Sequence, residues 1–306
     1  MAEISHKNLK WINLINPSAG DLVALKKKYK FHKLDLEDCL QEAQRPKIDE
    51  YENYLFIVLQ FPVSGRRSLR YESEQLNIFI GQNYLITIHK GNQTVVNEVF
   101  EKCKKSEKYR DNFFGDSTGY LLYELIKKLF NSIFSITDKV QLLLKNIEED
   151  IFEATHPKDQ LQDILVIKKN IITLRKIILP QRSVIAALEH KQKRFLPENL
   201  VIYFDDVVDQ IEKLWNILET QKEIIETLED TNESLISHNI NYTIKTLTLF
   251  SVVMLPLTFL TGLFGMNVRL PFFDALSNIE HFWEILSIMA TLIIAMLIIF
   301  KMKKWL

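Results

Sequence analysis

Two long apolar runs dominate the C-terminal sixty-odd positions of the chain, and the rest alternates in shorter, mixed patterns. From Thr246 to Phe264 no residue carries a charge, and the same holds from Ile285 to Phe300. With its flanks, each run reaches the roughly 17–25 residues that cross a bilayer's hydrocarbon. A buried core helix would explain either run alone, but two in tandem, joined by a short loop, predict an antiparallel membrane hairpin. Pro256 lies inside the first run and cannot donate to the carbonyl of Val252, so a local bend is expected there.

Upstream, a helical period extends back to about Leu200. Leu200, Phe204, Val207, Ile211, Leu214, Leu218, Gln221, Ile225, Leu228, Asn232 and Leu235 alternate steps of four and three. This heptad seam, interrupted by Gln221 and Asn232, predicts left-handed packing against partner helices, with Pro197 in the first turn of the helix. A second seam on the same helix is polar throughout: Asp206, Asp209, Lys213, Asn216, Thr220, Glu223, Thr227, Asp230, Ser234, Ser237 and Asn241. It continues into the apolar run as Ile244, Thr248, Ser251, Leu255, Thr258 and Gly262. A solvated helix face would account for the first part. Hydroxyls at membrane depth need water or a partner, which favours a water-facing seam. One helix cannot enclose water, so a symmetric ring of subunits is implied.

The remaining sequence reads as an α/β pattern. Strands are predicted near Leu9–Asn13, Tyr54–Phe61, Gln75–Ile80 and Tyr84–His89, and helices near Leu22–Tyr29, Leu36–Gln41 and Thr94–Lys105. Long helices follow over about Thr118–Glu153 and Lys158–Leu188, broken near His156-Pro157. The fold class is therefore an α+β domain with a long stalk helix and two C-terminal transmembrane helices. Its expected divisions are 1–115 (α/β domain), 116–195 (helical hairpin), 196–245 (stalk), 246–264 (first span), 265–281 (outer loop), 282–300 (second span) and 301–306 (basic tail).

Charge orients the hairpin. Lys245 precedes the first span, and Lys301, Lys303 and Lys304 follow the second, whereas Arg269 is the one Lys or Arg between them, alongside Asp274, Glu280 and Glu284. The positive-inside rule then puts both termini in the cytoplasm and the loop outside, in an integral protein of the cell (inner) membrane. Trp283 and Trp305 fall at interfacial positions. The N-terminus lacks the apolar core of a signal peptide, consistent with a cytosolic domain.

Net charge is −1, so no global field favours nucleic acid. The two cysteines, Cys39 and Cys103, are far apart and form neither a disulfide framework nor a thiolate metal pair. The histidines form no spaced ligand set, and no phosphate loop, nucleophile elbow or HExxH is present. The chain is thus read as no enzyme, with no ATPase signature to drive a pump, so any ion it passed would run down a gradient. An inside-negative potential adds about 2.3 kcal/mol per elementary charge per 100 mV, and twice that for an ion of charge two. Glu148, Glu149, Asp150 and Glu153 cluster at a helix end, where a solvated tip competes with cation binding.

Several motifs coincide at the first span. Tyr203-Phe204-Asp205-Asp206 opens the stalk, Asn239 and Asn241 with Lys245 to Thr248 enter the membrane, and Pro256 to Gly262 leads to Gly265-Met266-Asn267. The tail ends Lys303-Lys304-Trp305-Leu306. With weaker similarity through Gln44 to Lys47, Glu52 to Val58 and Glu72 to Gln75, nearly the whole chain resembles the CorA magnesium channel family, the two-span GMN family. The resemblance implies a funnel-shaped homopentamer whose first span lines the pore. Gly265, Met266 and Asn267 would form the selectivity filter at the outer mouth. Asn241, Ile244, Leu247, Thr248, Ser251, Leu255, Thr258 and Gly262 would line the pore, and Asp230 the vestibule below it.

Within that frame the residue chemistry is coherent. Mg²⁺ gives up its first-shell water reluctantly, and a ring of Asn267 side-chain carbonyls can accept hydrogen bonds from ion-bound water. Gly265 permits close backbone approach, although Gly-Met-Asn also suits a plain helix C-cap. Asn241 and Thr258 are candidate polar rings, and Ile244, Leu247 and Leu255 candidate constrictions that gate by dewetting. The family often has Met where Ile244 and Leu255 stand, and these stiffer side chains imply a less pliable gate.

In the family, internal Mg²⁺ holds the channel closed between an acid at the start of the stalk, matched by Asp206, and a carboxylate in the β-hairpin loop. The loop from Gln60 to Tyr71 contains no acid here. A salt bridge from Arg66 or Arg67 of a neighbouring subunit to Asp206 is the expected substitute, which leaves regulatory Mg²⁺ binding open. The expected partners are further copies of the chain, membrane lipid and divalent cations. Mg²⁺ is the first choice of cargo, with Co²⁺ or Ni²⁺ as possible companions. A Zn²⁺, Co²⁺ or Ni²⁺ transporter of the same superfamily is the first alternative. Against it, zinc-transporting relatives usually alter the middle residue of Gly-Met-Asn, and the seam offers no thiol or imidazole. A non-conducting membrane-tethered scaffold is the second.

Overall fold

Tyr54 to Phe61 is almost continuously apolar, and that pattern requires a strand covered on both faces. The computed structural model, which describes residues 2–41, 44–65, 70–153, 157–189, 195–266, 278–303 and 305, shows such a strand. Two compact units divide the chain, residues 1–230 and 231–306.

The first unit holds a six-stranded sheet: β1 (Ala2–His6), β2 (Leu9–Ile15), β3 (Lys47–Glu50), β4 (Tyr54–Ser64), β5 (Tyr71–Gly81) and β6 (Tyr84–His89). The spatial order is β1-β2-β6-β5-β4-β3, with β2 and β6 parallel and every other pair antiparallel. The helices of this unit are α1 (Ala19–Tyr29), α2 (Lys33–Asp38), α3 (Thr94–Lys105), α4 (Glu107–Phe114), α5 (Thr118–Phe152) and α6 (Pro157–Glu189). One sheet face, including Leu55, Ile57, Leu59 and Phe61, packs into a core shared with α3, α4, α5, α6 and the start of the next helix. The opposite face, including Phe56, Val58, Phe79 and Ile86, is covered by Leu22 and Leu25 of α1, with Phe31 and Leu36.

Strands and helices predicted from the pattern are present, most with longer ends, although the helix expected over Leu36–Gln41 starts earlier and stops at Asp38. Three elements escaped it: β1, β3 and α4. Both strands lie at the sheet's edges, where charge protects unpaired backbone and blurs the apolar period; β3 reads Lys-Ile-Asp-Glu.

The hairpin of β4 and β5 runs past its neighbours. β3 pairs with β4 only as far as Val58, and β6 with β5 only from Asn77 onward. Side-chain amides complete the exposed edges. Gln181 of α6, fully buried, accepts from the Gln60 N–H at 3.3 Å and donates to the Gln60 carbonyl at 2.8 Å, standing in for an adjacent strand. Asn170 of the same helix accepts from the Tyr71 N–H at 3.0 Å, and Gln93 donates to the Glu74 carbonyl at 3.2 Å. Buried and half-buried backbone groups are thereby paired without an adjacent strand.

After a 3₁₀ turn at Glu198–Leu200, α7 runs from Val201 to Phe264 as one helix. Pro197 precedes the turn, whose Leu200 N–H donates to the Pro197 carbonyl, instead of occupying the first turn of α7. The apolar heptad seam is buried from Leu200 through Asn232, and its partners within the first unit are α5 and α6 of the same chain. Leu235 departs from the expectation: it is exposed. Three ion pairs, Lys168–Glu229, Arg175–Glu219 and Arg182–Glu212, tie α6 to α7 at heptad spacing along α6. In the second unit, α8 (Asn278–Met302) follows α7.

Candidate permeation path

In the second unit, α7 and α8 each carry a window long and apolar enough to cross a membrane, and almost nothing in either window is buried. What burial exists is confined to one stripe per helix. Within the apolar run of α7 the half-buried positions are Leu249, Val253, Pro256, Leu257, Leu260 and Phe264; on α8 they are Ile285, Met289, Leu292, Ile293 and Met296, with Phe300 fully buried. These spacings mark two apolar faces of helix period.

The candidate pore residues occupy the other side of α7. At 3.6 residues per turn, Asn241, Ile244, Thr248, Ser251, Leu255, Thr258 and Gly262 centre about half a turn from the half-buried stripe. Each is exposed, and Leu247 beside them is too. Ile244, Leu247 and Leu255 are 55%, 65% and 71% accessible, although a lone helix in water would shed such surface. A Cβ placed on Gly262 would meet nothing within 4 Å, so no contact within the chain requires glycine there.

The hydroxyls on this face share one arrangement. Thr248 donates to the Ile244 carbonyl at 2.7 Å, Ser251 to the Leu247 carbonyl at 2.9 Å and Thr258 to the Met254 carbonyl at 2.9 Å. Each proton is committed to its own helix, which leaves the oxygen lone pairs facing outward as acceptors.

At the end of the run, the Gly265 N–H donates to the Thr261 carbonyl at 2.9 Å. The C-cap reading of this glycine needs correction in one respect. Positive φ among described glycines occurs at Gly91 and Gly115 and not at Gly265, so a left-handed cap is not what selects it. A Cβ here would sit 2.9 Å from the Thr261 carbonyl oxygen, and that close approach excludes a side chain. Met266 is exposed. Asn267 lies outside the described residues.

In the first unit, the polar seam from Asp206 to Asp230 is exposed along its length. Asp206 accepts from the Gln210 amide at 2.9 Å. Lys127 on α5 feels its charge: a 2.7 Å hydrogen bond to the Tyr123 hydroxyl leads the causes that hold the Lys127 pKa up, with Glu124 and Asp206 adding to them. Asp230 contributes similarly to Lys168, whose pKa is raised chiefly by its bond to Glu229. Arg66 and Arg67, the expected partners of Asp206, lie outside the described residues. The strand register brings an acid to the hairpin end that the loop's own sequence lacks. Glu72 pairs across from Val63, and its carboxylate lies beside Gly65, with 3.3 Å between Glu72 Oε1 and a Cβ built on that glycine. It stands one residue beyond the loop, and only the register of β4 and β5 makes it a loop-end acid. Among the described residues, no group of three or more His, Cys, Asp or Glu is placed to hold a metal ion, the Glu148 to Glu153 tip included.

A mixed sheet feeding one long helix, followed by a second apolar helix, with a polar line along the first, defines a membrane protein of the two-span type. The sequence profile described as CorA-like Mg²⁺ transporter protein matches residues 6–304, and the chain belongs to that family. It is 30% identical over 301 residues to the cobalt/magnesium transport protein CorA of Thermotoga maritima, covering 97% of this chain and 83% of that one. It is 21% identical over 227 residues, 74% of this chain and 67% of the other, to the zinc transport protein ZntB of Pectobacterium carotovorum. Among solved structures, the complete CorA magnesium transporter from Methanocaldococcus jannaschii superposes with a TM-score of 0.84 at 23% identity, covering 100% of this chain and 95% of that one. That likeness establishes the fold.

Proposed function

We propose that this chain is a passive divalent-cation channel, with Mg²⁺ as its principal cargo, built as a homo-oligomeric ring, most simply a pentamer, in the cell membrane with both termini cytoplasmic. The observation that carries the reading is the exposed acceptor line of α7 lying about half a turn from its half-buried stripe. A membrane helix with a half-buried apolar face and hydroxyls on the opposite face suits a helix that faces an aqueous axis. Family membership and the cobalt/magnesium transport of its relative favour a divalent ion.

In this reading Asn267 forms the outer ring that accepts hydrogen bonds from the hydrated ion, with Gly265 and Met266 setting its backbone. Thr258 and Asn241 are inner polar rings, Ile244, Leu247 and Leu255 the apolar constrictions, and Asp230 a cation-concentrating residue below them. The seam between Asn241 and Gly262 holds no His, Cys, Asp or Glu, which suits a hydrated hard cation better than Zn²⁺. Asp206, with Lys127 in its field and Glu72 as the acid at the hairpin end, is the candidate regulatory position.

Reconstitution of the full chain in liposomes, with dye-reported uptake of Mg²⁺, Co²⁺, Ni²⁺ and Zn²⁺, tests the proposal. Mg²⁺ uptake driven by an inside-negative potential and abolished in Asn267→Ala is the expected result. Absence of ion uptake by folded wild type would establish a membrane-tethered scaffold instead, and uptake of Zn²⁺ alone would reassign the cargo.

A further inference from the structure

Along the acceptor line of α7, apolar residues do not form one continuous belt. Ile244 and Leu247 stand together, Leu255 stands apart, and Ser251 lies between them with Thr248 at its side. At 1.5 Å per residue, Ser251 is about 6 Å along the axis from Leu247 and about 6 Å from Leu255. Ile244, Ser251 and Thr258 are spaced by heptads, so the hydroxyl at 251 shares a line with a constriction below and a polar ring above.

We infer that Ser251, flanked by Thr248, forms a resting site for a hydrated divalent cation between two separate apolar constrictions, Ile244 with Leu247 on one side and Leu255 on the other. This rests on the pore reading above and adds a site to it. Three observations carry the inference. First, both side chains are exposed on the face away from the half-buried stripe. Second, each hydroxyl has its proton engaged within the helix, at 2.7 Å for Thr248 and 2.9 Å for Ser251, so the ring presents acceptors only. Water in the first shell of a cation turns its hydrogens outward and needs acceptors, and an anion's shell needs the opposite.

Third, the spacing matters for wetting. A continuous apolar stretch from Ile244 to Leu255 would be about 16 Å long, a barrier that a strongly hydrated ion crosses only if the whole stretch wets at once. A hydroxyl ring in its middle divides it into two shorter barriers, each crossed by an ion that keeps its water. The site is neutral and holds the ion through its shell, so residence is brief, as conduction requires.

The test uses full-length protein in liposomes and compares Ser251→Ala, Ser251→Thr and Leu255→Ala. Removing the hydroxyl at nearly constant volume should slow Mg²⁺ uptake about tenfold, the scale of one hydrogen-bonded contact per passage. Ser251→Thr retains the acceptor and should stay within about twofold of wild type, whereas Leu255→Ala should be faster. In a second measurement independent of flux magnitude, Ser251→Cys should make uptake sensitive to external Cd²⁺, while wild type, with Cys39 and Cys103, stays insensitive. Uptake by Ser251→Ala equal to wild type, with Leu255→Ala faster and no Cd²⁺ block of Ser251→Cys, overturns the site and leaves the pore in place. Indifference to every substitution on this face overturns the pore lining and the site together.

Discussion

At the scale of single residues, the chemistry of the first unit is decided by burial. His89 is fully buried; its Nδ1 accepts from the Gly91 N–H at 3.0 Å, and its Nε2 lies 3.2 Å from Asn13 Oδ1. Burial pushes its pKa from 6.5 down to about 4. Between those values the unfolded chain binds the proton and the folded one does not, so stability falls as pH drops through that window. The loss is bounded at about 3 kcal/mol by the size of the shift. Glu74, buried beside it at 3.9 Å, opposes this, because burial raises its pKa and the folded form takes up a proton first as pH falls. Thermal unfolding of detergent-solubilised protein should therefore show a lower Tm at pH 5 than at pH 7, with a steeper decline in Glu74→Gln. A Tm that rises on acidification would contradict the assignment. Cys103, its thiol pushed up to about 12 by burial, should stay inert to thiol reagents until the unit unfolds.

At the scale of elements, two buried glutamines look alike in sequence and differ in consequence. Gln181 satisfies both backbone groups of Gln60 where β4 has lost its outer neighbour. Gln181→Leu leaves the N–H and C=O of half-buried Gln60 unpaired and should cost about 1–3 kcal/mol. Gln221 interrupts the apolar seam of α7; it donates to the Thr137 carbonyl at 2.9 Å, and its own Oε1 is buried without a hydrogen bond. Gln221→Leu removes an orphaned acceptor and should be neutral or stabilising by about 1 kcal/mol. Denaturant unfolding of the two variants checks the opposite signs. The three ion pairs between α6 and α7 are partly or fully exposed and contribute register more than energy.

At the scale of the whole molecule, the second unit leaves most of its apolar surface uncovered among the described residues. Its apolar windows are almost wholly exposed, and among the described residues its hydroxyl face is exposed too. Detergent-purified protein should sediment as a discrete homo-oligomer and not as a monomer. A monomer that retains uptake would remove the basis for a shared axial pore. Asp206, the proposed regulatory position, has Lys127 in its field, and the hairpin loop carries no acid of its own.

Much of this was legible in the sequence. Charge-free runs of membrane length, the heptad from Leu200, and the polar line from Asp206 to Gly262 are local periodicities, and the backbone's fixed rise and turn convert them directly into faces. The family followed from motifs placed on those faces. Tertiary structure alone decided what depends on register between distant segments. It put Glu72 beside Gly65, used Gln181 as a substitute strand, recovered the charged edge strands β1 and β3, and set the half-buried stripe of α7 opposite its hydroxyls. It also showed that Gly265 is required by the nearness of the Thr261 carbonyl and not by a left-handed turn. These are contacts between groups far apart in sequence or matters of ångström-scale approach, and neither leaves a periodic trace in the order of residues.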